Sequence, residues 1–390
     1  MIVSHVTHYS HRNRLYAYEP YAREIDMWAD LFPRITIAAP LRNQLPPPDS
    51  APFARQNITV APQKETGGAT LRAKIEQLLR LPSLAWSLIT AMRRADAVHT
   101  RCPGNLGLLG ALLAPLFSRH IVAKYAGQWN GYPGEAATVR LQRAILRSRW
   151  WRGPVMVYGQ WPRQPSHIVP FFTSVLTRRQ MERARQAAAH RALHEPLRIL
   201  YVGRLSASKR VDTLLSAVEK LTRSGIEVRC TIVGDGDRRP ALVAQAEEAG
   251  LGDRVEFVGA VSFERVLGYY EQNDVLVLVS ETEGWPKAIT EGMALGMLCI
   301  GSNRGVPAQM LGRGRGLAVP PGDVAALEAA LRRIARAPGD YAEMSRLAAA
   351  WAQRYSLEDF REALRQLLES RWHVKLAVSA RATPEDMENA

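Results

Sequence analysis

Short apolar, β-branched runs alternate with helix-length stretches along most of the chain, the pattern of parallel α/β sheets. In the first half the runs predict strands at Ile2–Thr7, Arg34–Ala39, Asn57–Ala61, Ala97–Arg101, His120–Tyr125, Val155–Tyr158 and His167–Pro170. Helices are expected between them at Glu19–Phe32, Leu71–Ala95, Leu106–Phe117, Thr138–Trp151 and Arg178–Leu193. Pro82 should kink or split the second of these, because proline removes a backbone donor and crowds the preceding turn. At His194-Glu195-Pro196 a polar helix end meets a proline and a fresh buried run, Arg198-Ile199-Leu200-Tyr201-Val202, which reads as a domain boundary. Beyond it, strands are expected at Arg229–Val233, Val255–Val258, Val275–Val279 and Leu298–Gly301, again with helices between. Ser356-Leu357-Glu358-Asp359 has the shape of a capping box and opens the last helix, with Asp359 in place of the usual Glu or Gln.

These elements predict an α/β chain of two Rossmann-like, doubly wound domains facing across a cleft, with ligands at the carboxyl ends of the strands. The expected division is residues 1–195 for an N-terminal domain and 196–340 for a C-terminal one. Helices over 341–373 would pack back toward the first domain, and a polar tail over 374–390 would fray. A length of 390 residues favours two domains. A hydrophobic content of 47% with 23% charged residues is a globular composition.

The three cysteines, Cys102, Cys230 and Cys299, are far apart and imply neither a disulfide framework nor a zinc site. That fits a reducing cytoplasm, and the opening Met1-Ile2-Val3-Ser4 lacks the form of a signal peptide. The charge is uneven: residues 1–195 hold 26 Lys and Arg against 11 Asp and Glu, a net +15, while residues 196–390 hold 25 against 26. A basic half speaks to an anionic partner, such as nucleic acid, a membrane surface or an acidic substrate.

Three stretches of the second half could carry chemistry. Gly203-Arg204-Leu205-Ser206-Ala207-Ser208-Lys209 follows a buried strand, and its two cations could clamp a diphosphate or stand as a solvated basic loop. Glu283-Gly284-Trp285-Pro286-Lys287-Ala288-Ile289-Thr290-Glu291 places two carboxylates around a helix start, with Pro286 expected at the first helical position. Phosphate would be drawn to that helix start, and the carboxylates could accept from sugar or ribose hydroxyls. In Gly234-Asp235-Gly236-Asp237 the D-x-D spelling fits a tight turn that needs glycine, so no metal is expected.

Together these stretches resemble the retaining family 4 glycosyltransferases of the GT-B fold, the glycosyl transferases group 1. The resemblance runs from about Leu197 to Arg336, through Tyr201-Val202-Gly203-Arg204-Leu205 with Lys209, Ile232-Val233-Gly234-Asp235-Gly236, Val255-Glu256-Phe257-Val258-Gly259, Asp274–Leu278 with Ser280, the E-x7-E of Glu283 and Glu291, and Gly316–Asp323. It implies a metal-independent transferase that takes a UDP- or GDP-linked sugar as co-substrate and needs no other cofactor. Arg204 and Lys209, beside Gly203, would bind the diphosphate. Glu291 would hold the ribose, Glu283 would face the transferred sugar, and the backbone at Phe257 and Val258 would receive the base. Gly284 and Trp285 line the same loop. Pro286 stands where members commonly have glycine, so the amide or amine of Lys287 would meet the donor oxygen instead.

The first half resembles the family in outline only. The usual Gly-Gly loop is replaced by Thr7-His8-Tyr9-Ser10-His11-Arg12-Asn13-Arg14, expected as a loop. Where members carry a second histidine near the sugar, this chain has Arg101, a fixed cation unsuited to general-base work but open to a catalytic or donor-side role. His5, His8 and His11 fit no recurring metal-ligand spacing and are read as packing or polar contacts. The loop Gly127–Gly134, rich in aromatic and amide groups, could stack on a sugar acceptor. Arg140, Arg143 and Arg147 share a helical face near Trp150 and Trp151, which reads either as an ordinary amphipathic helix or as one touching anionic lipid.

The expected function is therefore transfer of a sugar to a cell-envelope glycan or lipid-linked acceptor, in the cytoplasm or peripheral on the inner membrane face. Alternatives are a non-catalytic nucleotide-sugar-binding protein and a GT-B nucleotide-sugar epimerase. Nucleic acid is not expected, because the aromatics do not interleave with the cations.

Overall fold

The computed structural model describes residues 1–65 and 71–376, so residues 377–390 of the expected tail lie outside the described residues. Two compact units divide the chain: Met1–Thr173 joined by the segment from Leu357 onward, and Ser174–Ser356. The division falls one helix earlier than the expected boundary at residue 195, because the helix Arg178–Ala189 packs within the second unit. Thr177 and Gln180 cap that helix reciprocally. Just beyond it, Arg191 donates to the carbonyls of Tyr270, Asn273 and Leu295. Those bonds fasten the segment to the C-terminal ends of the helices Phe263–Gln272 and Lys287–Ala294. Of the expected C-terminal helices, Ala342–Ala352 belongs to the second unit and Leu357–Trp372 to the first.

The first unit holds a seven-stranded parallel sheet, ordered Ile168–Phe171, Val155–Tyr158, His120–Tyr125, Ala97–Cys102, Ile2–Val3, Ile35–Ala39, Ile58–Pro62. Strand order reverses between Ile2–Val3 and Ala97–Cys102, where Ile2 pairs with both Ile37 and His99. One face packs on the helices Glu19–Ala29 and Leu357–Trp372 through Ile25, Trp28, Phe360 and Leu364. The other packs on Leu71–Met92, Asn105–Phe117 and Ala137–Arg147 through Leu84, Leu88, Leu106 and Leu146. Pro82 does not split its helix, which runs from Leu71 to Met92 as one element. After the proline, the apolar face of Leu84, Leu88 and Met92 is buried, and that burial holds the helix to the sheet.

The stretch expected as a loop at Thr7–Arg14 is instead a hairpin. His8–His11 pairs with Arg14–Tyr18 across a two-residue turn whose Arg12 and Asn13 have φ of 48° and 61°. With Leu41–Arg42 and Ser50–Pro52 it forms a small four-stranded sheet. The first strand is correspondingly shorter than expected, ending at Val3.

The second unit repeats the architecture with six parallel strands, ordered Val255–Gly259, Val228–Val233, Leu197–Val202, Val275–Leu278, Leu298–Ser302, Leu317–Val319. The last of these, a three-residue edge strand, is absent from the sequence expectations. Strand order reverses between Leu197–Val202 and Val275–Leu278, and a doubly wound sheet takes its ligands at such a reversal, outside the carboxyl ends of the strands.

Candidate functional site

At this reversal two loops leave neighbouring strands. The first turns out at Gly203, whose amide donates to the Val233 carbonyl at 3.0 Å, and Leu205 follows with a bond to the Asp235 carbonyl at 2.9 Å. The turn at Gly234–Gly236 packs directly against this segment. A Cβ on Gly234, at φ 131°, would lie 2.0 Å from the Gly203 carbonyl oxygen, and one on Gly236 would lie 2.3 Å from that of Leu205. Glycine is required by close backbone approach as well as by conformation. Asp235 accepts from the Gly236 amide at 2.7 Å, so its carboxylate serves the turn. Among the described residues no group of three metal-binding side chains forms.

The second loop, after Val275–Leu278, is tied to the first. The Glu281 amide donates to the Ser208 carbonyl at 2.8 Å, and Arg210 reaches Glu281 at 3.2 Å. Lys209 Nζ lies 2.5 Å from Glu283 Oε1, with the two side chains only 22% and 10% exposed. Residues far apart in sequence thus form a shielded ion pair at the mouth of the sheet. Arg204 stands exposed on the same loop, and its guanidinium has no partner among the described residues. Ser280 is buried with its hydroxyl unpartnered.

Pro286 is the N-cap of the helix Lys287–Ala294, not its first residue as expected, since its ψ of 86° lies outside the helical range. The amide of Lys287 therefore opens the helix, in the positive end of its dipole. Within that helix Glu291 is buried and accepts from the Tyr270 phenol at 2.6 Å. Tyr270 lies on a neighbouring helix and carries no sequence signal that would have paired it with Glu291. Trp285 is held by aromatic packing, stacked on Trp351 at 6.2 Å and edge-on to Tyr355 at 5.7 Å, which leaves Gly284 as the small residue between it and Glu283. Phe257 and Val258 are half-buried at the end of their strand, where the Phe257 carbonyl accepts from Arg239 at 3.5 Å.

In the first unit, Arg101 is buried and its guanidinium donates to Glu24. Lys124 at 2.6 Å and Thr173 at 3.0 Å donate to the other Glu24 oxygen, and Arg101 lies 4.9 Å above the Tyr21 ring. Arg101 is thus committed to an internal carboxylate that sequence reasoning did not anticipate. Burial pushes Tyr21 up to about 12. His99 is stacked on Trp28 at 4.0 Å, and burial holds its pKa well below the usual histidine range. His8 is fully buried against Phe53 and Tyr21, bonded to the Val6 carbonyl at 2.9 Å, and burial takes its pKa down to about 4.

Two surface expectations need correction. Arg143 is not part of an exposed basic face: it is buried and donates to both oxygens of Glu135. Trp129 of the glycine-rich loop cannot stack on a sugar, because it is buried edge-on to Tyr125 with its Nε1 donating to Gln164 at 3.1 Å.

The family described as Glycosyl transferases group 1 matches residues 182–354, a stretch that contains all of the second-unit site. The amylovoran biosynthesis glycosyltransferase AmsK of Erwinia amylovora is 34% identical over 156 residues, covering 38% of each protein. The matched region thus spans well under half of that relative. Among solved structures, sucrose-phosphate synthase of Thermosynechococcus elongatus superposes with a TM-score of 0.71 at 19% identity, covering 95% of this chain and 98% of that one. Anabaena HepE in complex with UDP-glucose gives 0.67 at 16% identity, with the same coverage. The chain accordingly has the GT-B fold of two Rossmann-like domains, and its residues 182–354 are similar to the glycosyl transferases group 1 family.

Proposed function

We propose that the chain transfers a glycosyl group from a UDP- or GDP-linked sugar, with retention of configuration and without a metal ion, to a cell-envelope glycan or lipid-linked acceptor. The observation that carries this reading is the shielded Lys209–Glu283 pair at the strand reversal, with Arg204 exposed beside it. Arriving diphosphate would offer Lys209 a stronger anion and free Glu283 to face the sugar, while Arg204 adds a planar fork for phosphate oxygens. Both cations then oppose the charge that develops on the leaving diphosphate, where electrostatic stabilisation is most effective. Glu291, the second carboxylate of the E-x7-E spacing, would take the ribose hydroxyls. Arg101, bound to Glu24, is read as a positioning residue of the first unit. The curated relative named for amylovoran biosynthesis and the HepE complex with UDP-glucose support the glycan and nucleotide-sugar parts of the reading.

Calorimetry with UDP and with GDP tests it. One nucleotide should bind, and Glu291→Gln should weaken that binding by about tenfold to a hundredfold, since charged hydrogen bonds contribute roughly 1.5–3 kcal/mol. Absence of binding by either nucleotide, or a variant equal to the parent, overturns the assignment.

A further inference from the structure

The helices Leu71–Met92, Asn105–Phe117 and Ala137–Arg147 lie side by side over one face of the first unit's large sheet, the middle one touching each of the others. Their inward residues are accounted for by the core, but their outward residues are not. Leu79 is 75% exposed, Trp86 71%, Leu116 58% and Leu141 51%, with Leu112 and Trp150 also exposed. Leu79 and Trp86 are seven residues apart, and Leu112 and Leu116 four, so each pair stands on one face of its helix. Trp150 is laid against the middle helix by a bond from its Nε1 to the Ala111 carbonyl at 3.2 Å. Apolar side chains scattered singly need no explanation, but a cluster of leucines and tryptophans across three adjacent helices does.

The charge around this cluster identifies what covers it. Arg93, Arg119, Arg140, Arg147, Arg149 and Arg152 are all exposed. Between Asn105 and Arg152 the single carboxylate is Glu135, and it is consumed by Arg143. A partner must therefore be apolar in its interior and anionic at its rim. Tryptophan settles at the headgroup level of a bilayer, arginine at lipid phosphates, and leucine just below, and this surface holds all three. No helix among the described residues is long and apolar enough to cross a membrane, so the surface would lie on one.

We propose that this three-helix face docks the first unit onto an anionic lipid bilayer, with Trp86, Leu116 and Trp150 entering the headgroup layer and the arginines binding lipid phosphates. It goes beyond the nucleotide-sugar site and shares no residue with it.

The test is co-sedimentation of the full chain with vesicles of phosphatidylglycerol and phosphatidylcholine in equal parts, and with phosphatidylcholine alone. The parent should bind the anionic vesicles and release at high salt. Trp86→Ser with Leu116→Ser should weaken binding about tenfold or more through lost apolar burial. Arg140→Gln, Arg147→Gln and Arg149→Gln together should weaken it by up to about a hundredfold at low salt. All five positions are exposed or at the surface, and an unchanged thermal melt verifies the fold. Failure to bind anionic vesicles, or equal binding by parent and both variants, overturns the proposal. So does concentration-dependent dimerisation abolished by the Trp86→Ser, Leu116→Ser pair without vesicle binding, which would make the face a contact between copies. Calorimetry with UDP and GDP on the same samples separates the two readings: nucleotide binding without vesicle binding sinks the docking alone, and the reverse sinks the transferase assignment alone.

Discussion

At the scale of single residues, the site turns on which charges are spent inside the protein and which are left for a ligand. Arg101 is spent: with Lys124 and Thr173 it satisfies Glu24, and removing Glu24 would strip two buried cations of that carboxylate. Arg204 is not spent, and Lys209 is shared with the shielded carboxylate of Glu283. Arg204→Ala and Lys209→Ala should therefore lower kcat by on the order of 10² while leaving the melting temperature close to the parent's, because the interaction is strongest in the transition state. Steady-state kinetics paired with thermal melts check this. A variant that merely melts early would show the loop to be a structural brace. The candidates Arg204, Lys209, Glu283 and Glu291 were legible in the sequence from residue type and spacing. Tyr270 and Glu24 were not, because a phenol on one helix and a carboxylate on another acquire their partners only through tertiary packing.

Among the elements, the long strands and helices were legible because their burial is two-sided and their apolar runs are continuous, as in Val155–Tyr158 and Val275–Leu278. The small sheet was not. Its strands are two to five residues long and rich in polar side chains, and the Arg12-Asn13 turn that sets their register has the composition of a loop. Arg143 misled for a related reason: helical spacing gives a face, but the Glu135 that draws the residue inward lies in the preceding loop. The turn Gly234–Gly236 carries the sharpest test at this scale. Gly234→Ala would force a Cβ to within 2.0 Å of the Gly203 carbonyl oxygen at a φ of 131°, so the loop bearing Arg204 must move. The expected outcome is a loss of nucleotide affinity of about tenfold or more together with destabilisation of roughly 1–3 kcal/mol. Calorimetry and denaturant titration measure the two effects. Unchanged values for both would mean that the turn does not brace the Arg204 loop.

Across the whole molecule, ionisable burial is as uneven as net charge. His8, His99 and Asp26, the buried groups whose titration is moved within or near the acid range, all belong to the first unit. His8 and His99 are held neutral by burial, so the unfolded chain binds more protons than the folded one once pH falls below the ordinary histidine value. For His8 the window runs from about 6.5 down to about 4: its contribution is complete above the upper limit and lost at the lower, a change of roughly 3 kcal/mol. Asp26 works in the opposite sense. Burial raises it to about 7 against the pull of the Ala54 and Arg55 amides, so the folded chain gains relative stability as pH falls through that value. Because the two contributions overlap, the parent's acid profile alone cannot apportion them, but a variant can. His8→Phe keeps an aromatic ring against Phe53 and Tyr21 and removes the proton site. Relative to the parent, the variant should gain stability on acidification from pH ~7 to pH ~4, by roughly 3 kcal/mol if His8 titrates as its burial dictates. Hydrogen exchange read by mass spectrometry resolves peptides of the two units separately, and the gain should appear in strands of residues 1–173 and not in those of 174–356. Parallel acid profiles for parent and variant would show that His8 is protonated in the folded chain as readily as in the unfolded one.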